Sequence, residues 1–431
     1  MAATEYEAVP GIAPEGGAAR VGTVVMKFGG SSVGDIERLR NVARRIVSVK
    51  EQGGRVVAVL SAMGDTTDEL VALAHRVSER PKPRAVDMLI SVGERISCAL
   101  AEMAIEDLGH EAISLTGSQA GIVTDTTHTK AKIVEVRAQR IHDALDEGRI
   151  VLVAGFQGVS TGAEITTLGR GGSDTTAVAL AAALGADSCE IFTDVEGVYT
   201  ADPRLVPGAY RLPAVTYEEM LEMSASGAKV MALRSVEFAR NHRVRLHVRS
   251  TFTDTPGTWI REEDDQLLEK AIISGVTHDT GEAKVTILGV PDRPGVAAHV
   301  FRALADAAVN IDMIVQNVSE QGLTDISFTL PKADLPVAEP ILDDACKQIG
   351  ASGFTRDPDI AKVSLIGAGM RSHPGVAADM FEALAAEGIN LEIISTSSIR
   401  ISCVVRAAEV DRAVRAVHNR FQLAAEERAN A

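Results

Sequence analysis

From Thr23 to about Arg261, short β-rich runs alternate with helical stretches, and no other feature constrains the fold of this chain as strongly. Runs at 23–28, 55–60, 112–115, 150–154, 189–193 and 244–249 read as strands. Stretches at 35–51, 66–79, 84–107, 132–147 and 173–185 read as helices. Alternation of this kind predicts an α/β domain with a largely parallel, buried sheet sandwiched by helices. Ligands in such sheets bind beyond the carboxyl ends of the strands, so the residues after each strand carry the functional question.

The chain is 431 residues long, enough for about two to four domains. Its net charge of -16 weighs against nucleic acid or an anionic membrane as partner, but leaves room for an anionic small molecule at a locally basic site. Cys98, Cys189, Cys346 and Cys403 are scattered, without a C-x-x-C, and read as buried reduced thiols. Residues 1–20 have neither a basic start nor an apolar core and read as a disordered tail, not a signal peptide. The longest run of small apolar residues, Ala177 to Ala186, is too short to span a bilayer. The expectation is a soluble, cytoplasmic protein.

The first strand ends in Lys27-Phe28-Gly29-Gly30-Ser31-Ser32, followed by a helical pattern. Glycines admit an anion close to backbone N–H groups, and a helix start adds its dipole, so this turn suits phosphate with Lys27 beside it. It is neither a Walker loop nor a dinucleotide fingerprint, and taken alone it also reads as a plain turn. Gly169-Arg170-Gly171-Gly172-Ser173-Asp174 offers a second anion nest, with Arg170 suited to a carboxylate. Asp174 there reads either as a functional group or as a helix cap. Thr193-Asp194 and the segment Tyr199 to Arg204, including Asp202, form a strand exit and a polar loop that is either structural or ligand-binding. Ser61 to Thr67 follows another strand, and Lys229 lies on a predicted helix. Glu94 sits in a mostly apolar helical stretch and needs a partner; a substrate ammonium, Arg95 or a cap would each serve.

Beyond a polar stretch at Arg261 to Gln266 the chain repeats itself. Ala283-Lys284-Val285-Thr286-Ile287-Leu288-Gly289 is echoed by Ala361-Lys362-Val363-Ser364-Leu365-Ile366-Gly367, and Pro294-Gly295-Val296 returns as Pro374-Gly375-Val376, 80 residues later. Each copy reads strand, glycine loop, helix, strand, strand, helix, which predicts a pair of small α+β modules. Such a pair can be purely architectural. Alternatively the loops around Asp292 and His373 hold a small zwitterion, with free helix N–H groups facing its carboxylate.

Taken in order, K-F-G-G-S-S, S-A-M-G-D-T-T-D-E-L, G-E-R-I-S, F-Q-G, T-L-G-R-G-G-S-D-T-T-A and T-D-V-E-G-V-Y-T-A-D-P-R closely resemble the monofunctional aspartate kinases of the amino acid kinase superfamily. The resemblance spans about residues 21 to 425. It implies an amino acid kinase fold over 21–262, followed by two ferredoxin-like ACT domains at 267–355 and 356–431. It also implies ATP-dependent phosphorylation of the aspartate side chain to 4-phospho-L-aspartate, which opens the route to lysine, threonine and methionine. The acceptor carboxylate is already ionised near neutral pH, so no general base is needed.

Residue by residue, the resemblance makes Lys27 and Lys229 the cations on the transferring phosphoryl group, with Asp174 orienting both. Phe28, Gly29, Gly30 and Ser31 would hold ATP phosphates, and Thr193, Asp194, Tyr199, Asp202 and Arg204 would line the nucleotide side. Arg170 would take a carboxylate of aspartate and Glu94 its ammonium, with Ser61, Thr67, Gly172 and Ser173 completing the substrate site. Mg²⁺ is expected on the ATP phosphates, without a dedicated protein cage. Lysine or threonine would bind the ACT repeats at Asp292, Pro294, Gly295, Asn317, His373, Pro374 and Gly375, and a homo-oligomer through those domains is implied. Two competing readings are a kinase for glutamate or its acetyl derivative, and a catalytically silent amino-acid sensor. The ACT repeats and the Glu94–Arg170 combination argue against the first. The intact Lys27, Asp174 and Lys229 argue against the second.

The repeats depart from the family pattern in three places. Ser398 stands where relatives usually carry glutamate, the loop between Asn317 and Thr324 is shorter, and the end after Leu423 is polar where they extend an apolar strand. These departures predict weakened or altered feedback by lysine and threonine, with catalysis intact.

Overall fold

The computed structural model describes residues 22–262, 273–317, 322–368, 370, 373 and 375–424. The N-terminal tail, Gln266, Pro374 and Glu426 to Arg428 therefore lie outside the described residues, as does most of the short loop before Gly322. The chain divides into two compact units, one ending at Phe192 and one beginning at Thr193.

In the first unit the strands are β1 (Thr23–Phe28), β2 (Arg55–Leu60), β3 (Ala112–Leu115), β4 (Ile122–Thr124), β5 (Ile133–Val136), β6 (Ile150–Ala154), β7 (Gln157–Ser160), β8 (Ile165–Thr167) and β9 (Ser188–Thr193). The helices are α1 (Ile36–Glu51), α2 (Thr66–Val77), α3 (Pro83–Ile90), α4 (Val92–Glu106), α5 (Gln139–Asp146) and α6 (Gly172–Leu184). The main sheet runs β9-β1-β2-β6-β3, every pairing parallel. Its strands are continuous apolar runs because both faces are covered: Val56 to Leu60 and Ile150 to Ala154 are fully buried. Each of the larger side chains, Met26 and Phe28 among them, contributes about 1.5–3 kcal/mol by leaving water. Four short strands, β5-β4-β7-β8, form a smaller sheet.

Two helical expectations are corrected here. The stretch 132–147 is not one helix: β5 pairs antiparallel with β4 before α5 begins. Ile133, Val134 and Val136 are β-branched and fit a pleated surface better than a helix. The stretch 84–107 is broken at Ser91, whose carbonyl accepts from Gln157 Nε2 at 2.7 Å.

The second unit has strands β10 (Ala214–Thr216), β11 (Leu246–Ser250), β12 (Thr258–Arg261), β13 (Ile273–Asp279), β14 (Glu282–Pro291), β15 (Ile314–Gln316), β16 (Leu323–Pro331), β17 (Gly353–Asp357), β18 (Ile360–Gly367), β19 (Ile393–Thr396) and β20 (Arg400–Arg406). Its helices are α7 (Tyr217–Ala225), α8 (Leu233–His242), α9 (Val296–Asp306), α10 (Leu335–Ile349), α11 (Val376–Ala386) and α12 (Val410–Arg420). The repeat appears as two antiparallel sheets, β15-β16-β14-β17 and β13-β18-β20-β19. In each, the glycine before the helix has a positive φ, +95° at Gly295 and +112° at Gly375, a turn that only glycine makes without strain.

The modules are not consecutive blocks of chain. Strand β13 precedes the first repeat but pairs antiparallel with β18 of the second, whereas β17 closes the first sheet beside β14. The second core also takes in Ala201 and Val206. All four cysteines are buried and unpaired. Among the described residues no helix is long and apolar enough to cross a membrane.

Candidate active site

Strand β1 delivers Lys27 to the carboxyl end of the parallel sheet. Its ammonium lies 2.6 Å from Asp174 Oδ1, in the first turn of α6, and both side chains keep only about a tenth of their exposure (12% and 11%). The lysine folds back over the following turn: a Cβ on Gly29 would sit 3.4 Å from Nζ. Gly30 is needed for close approach, since a Cβ there would meet the carbonyls of Ala62 and Gly64 at 3.0 and 3.1 Å. The turn continues as a single 3-10 turn, Gly30–Val33, and α1 starts only at Ile36, capped by Asp35. Ser31 is exposed on that turn. The Phe28 ring is fully buried and stacked on Phe192 at 4.7 Å, so its side chain serves the core and only its backbone adjoins the glycine turn.

The loop after β2 joins the same end of the sheet. Ser61 donates its N–H to the Phe28 carbonyl, Gly64 donates to the Gly30 carbonyl, and Thr67 lies in the first turn of α2. Gly93 lets α4 press against this loop, because a Cβ would come within 2.7 Å of the Ala62 side chain. Glu94 is thereby carried inside, 3% exposed, with Oε2 buried and without a hydrogen-bond partner. Arg95 is not the neutralising neighbour, since its guanidinium bonds Gln157 and Ser91. Burial pushes the Glu94 carboxyl up to about 7, against the pull of the Glu94 and Ala62 backbone N–H groups and the Arg95 charge.

Gly169 and Gly171 take φ of +79° and +70°, which forms the nest around Arg170 and opens α6. Arg170 is exposed. Gly172 packs so tightly on Phe156 that a Cβ would lie 2.8 Å from its ring, and Ser173 is buried beside Asp174. One unit thus holds a lysine–aspartate pair, two glycine turns, an exposed arginine and a buried carboxylate. The arrangement suits an anion and a zwitterion.

In the second unit Thr193, Asp194, Tyr199, Asp202, Arg204 and Lys229 line one cavity of about 630 Å³. Thr193 donates to Asp194 at 3.0 Å, and the Tyr199 hydroxyl donates to Glu196 at 3.2 Å. Burial, with Glu196 close by, raises the Tyr199 phenol above its usual range. Arg204 grips Asp202 through Nε and an η nitrogen at 3.0 and 2.7 Å, which holds the Asp202 carboxyl below its ordinary range. Lys229 is not helical: α7 ends at Ala225, Gly227 adopts φ +106°, and Lys229 is exposed in the following turn. Sequence reasoning missed the wall formed by Val276 to Asp279 of β13 and the following Thr280, because no local motif marks so distant a strand as a neighbour.

A smaller cavity, about 350 Å³, opens at the start of α9 and is lined by Asp292, Pro294 and Gly295 together with Gln316. Asn317 is not among its lining residues, although its carbonyl accepts from Thr324 Oγ1. In the second repeat His373 and Gly375 are exposed at the corresponding turn, and Pro374 lies outside the described residues.

The fold and these sites define an amino acid kinase carrying an ACT regulatory region. The family model for the amino acid kinase family matches residues 22–250, and ACT domain models match 284–350 and 363–421. The aspartokinase of Mycobacterium tuberculosis is 59% identical over 410 residues, covering 94% of this chain and 97% of that protein. Among solved structures, aspartokinase III of E. coli in complex with aspartate and ADP (R-state) matches with a TM-score of 0.79 at 25% identity, over 92% of this chain and 99% of that one. The same enzyme in complex with lysine and aspartate (T-state) matches with a TM-score of 0.71 at 25% identity, over 93% and 99%. The chain belongs to the aspartokinase family.

Proposed function

We propose that the protein transfers the γ-phosphoryl group of ATP to the side-chain carboxylate of L-aspartate, giving 4-phospho-L-aspartate and ADP. It is an ATP-dependent aspartate kinase with an ACT regulatory region. One observation carries the substrate reading: Glu94 is buried, with an unpartnered carboxylate oxygen, close behind the glycine turn that presents Lys27. A buried carboxylate with one oxygen unpaired is costly, and a substrate ammonium offsets that cost. An acetylated amine would not. Arg170 supplies the guanidinium for a substrate carboxylate, and Ser61, Thr67, Gly172 and Ser173 complete the pocket.

Phosphoryl transfer of this kind requires in-line positioning and positive charge on the equatorial oxygens, with little covalent work for the protein. Lys27 supplies that charge, and Asp174 holds its ammonium in place. The Gly30 and Ser31 backbone contributes N–H donors, while the Gly29 N–H already faces the Phe192 carbonyl. Lys229, on the wall of the 630 Å³ cavity, is assigned to the phosphates, and Thr193, Asp194, Tyr199, Asp202 and Arg204 to the nucleotide. Mg²⁺ bound with the ATP phosphates would supply further neutralisation of charge there. The hard oxygen donors of Thr193 and Asp194 fit such an ion, which needs only one or two carboxylates from the protein. No group of three or more potential metal-ligating side chains occurs among the described residues.

The cavity at Asp292, Pro294 and Gly295 is assigned to an amino-acid effector, lysine or threonine, and assembly to a homo-oligomer through the ACT sheets. The helix start at Gly295 offers N–H groups to the effector carboxylate. Coupled release of ADP with aspartate, glutamate and acetylglutamate as acceptors tests the activity. Turnover confined to aspartate is expected, and turnover with acetylglutamate alone would overturn the assignment.

A further inference from the structure

The nucleotide cavity is closed on one side by a strand of the regulatory region. Strand β13 pairs with β18, yet its last residues, Thr277, His278 and Asp279, line the same cavity as Asp202 and Lys229. Backbone contacts without room for a side chain hold it there. Val276 donates its N–H to the Thr200 carbonyl at 2.7 Å, and a Cβ on Gly275 would lie 2.7 Å from that same carbonyl oxygen. On the other flank a Cβ on Gly227 would fall 2.0 Å from the His278 carbonyl oxygen, in the turn that carries Lys229. Strand β13 is therefore clamped between the two loops assigned to the nucleotide.

The chemistry along that wall suits a nucleoside. Thr277 is nine-tenths buried beside the cavity, and its hydroxyl has no hydrogen-bond partner. His278 and Asp279 are half-buried and add a ring donor and a carboxylate acceptor. A ribose offers hydroxyls and a base offers ring N–H and N groups, which these side chains can pair. The volume also falls in the range of small-molecule sites.

We propose that the end of β13, through Thr277, His278 and Asp279, forms part of the ATP subsite and contacts the nucleoside moiety. A strand of the regulatory sheet then sets part of the affinity for nucleotide. The proposal rests on the reading of this cavity as the nucleotide site.

The test uses the full-length protein and the variants Thr277→Val, His278→Ala and Asp279→Ala. Calorimetric titration with ADP, without aspartate, reads the subsite directly. Loss of one or two hydrogen bonds should weaken ADP binding about five- to tenfold in at least two variants, and raise KM for ATP in step. The change should fall on KM for ATP rather than on kcat or KM for aspartate, and the preference for ATP over GTP should shift. A merely structural β13 would instead lower the unfolding temperature and kcat together and raise both KM values alike, which would overturn the proposal. ADP affinity within twofold of the parent in all three variants would also overturn it. The parent's aspartate-dependent ADP release separates the two readings. Absent turnover with weakened ADP binding in the variants removes the aspartate reading and leaves this one. Normal turnover with unaltered ADP binding removes this one alone.

Discussion

The Lys27 ammonium stands 2.6 Å from the Asp174 carboxylate, joining the exit of the central strand β1 to the first turn of α6. The contact is close enough for an ion pair, although Asp174 Oδ1 makes no hydrogen bond of good geometry there. An ammonium held in this way is aimed but not fully satisfied, and it can still donate to phosphate oxygens.

Lys27→Ala should lower kcat by about 100- to 1000-fold, the cost of one preorganised group that stabilises developing charge. Far-UV circular dichroism should show the fold retained, because the side chain lies at the carboxyl end of the sheet and not in the core. Near-normal turnover by a folded variant would remove Lys27 from its assigned role.

Glu94 should impose a pH dependence on the capture of aspartate. Its carboxyl is raised to about 7 in the free protein, and only the ionised form holds an ammonium. The kcat/KM for aspartate should therefore fall about tenfold per pH unit below 7. Glu94→Gln should raise KM for aspartate about 10- to 100-fold at pH 8 and abolish that acidic limb.

The same carboxyl makes a stability prediction of defined sign. A raised folded-state value means that the native protein binds more protons than the unfolded chain between 4.5 and about 7, so stability falls as pH rises through that window. Glu94→Gln should unfold at a higher temperature than the parent at pH 8, without substrate, and the difference should narrow toward pH 5. Scanning calorimetry at the two pH values measures it.

Feedback by lysine plus threonine should be weak or altered, given Ser398, the short loop before Thr324 and the polar end after Leu423. A steep loss of activity at low millimolar concentrations of the two amino acids would refute this. Asp292→Ala should further reduce any response, because Asp292 lines the cavity at the start of α9.

The sequence was most legible where local periodicity and burial agree. The buried parallel strands at 23–28, 55–60, 112–115 and 150–154 have the bounds their apolar runs predicted, since a strand covered on both faces leaves no other period open. The errors fell where tertiary contacts override local propensity. Ile133 to Val136 found a strand partner in β4, Ser91 lost its place in a helix to Gln157, and Gly227 ended α7 before Lys229. The Phe28 ring belongs to the core although its backbone adjoins the glycine turn.

Family and reaction class were already present in short motifs, because a glycine turn, a lysine at a strand end and an aspartate in a first helical turn are local chemistry. Partnership was not. That Glu94 is buried with one carboxylate oxygen unpaired, and that β13 leaves its own repeat to pair with β18, depend on residues far apart in the chain. Long-range packing decides which polar groups are satisfied internally and which remain for a ligand, and a motif carries no record of it.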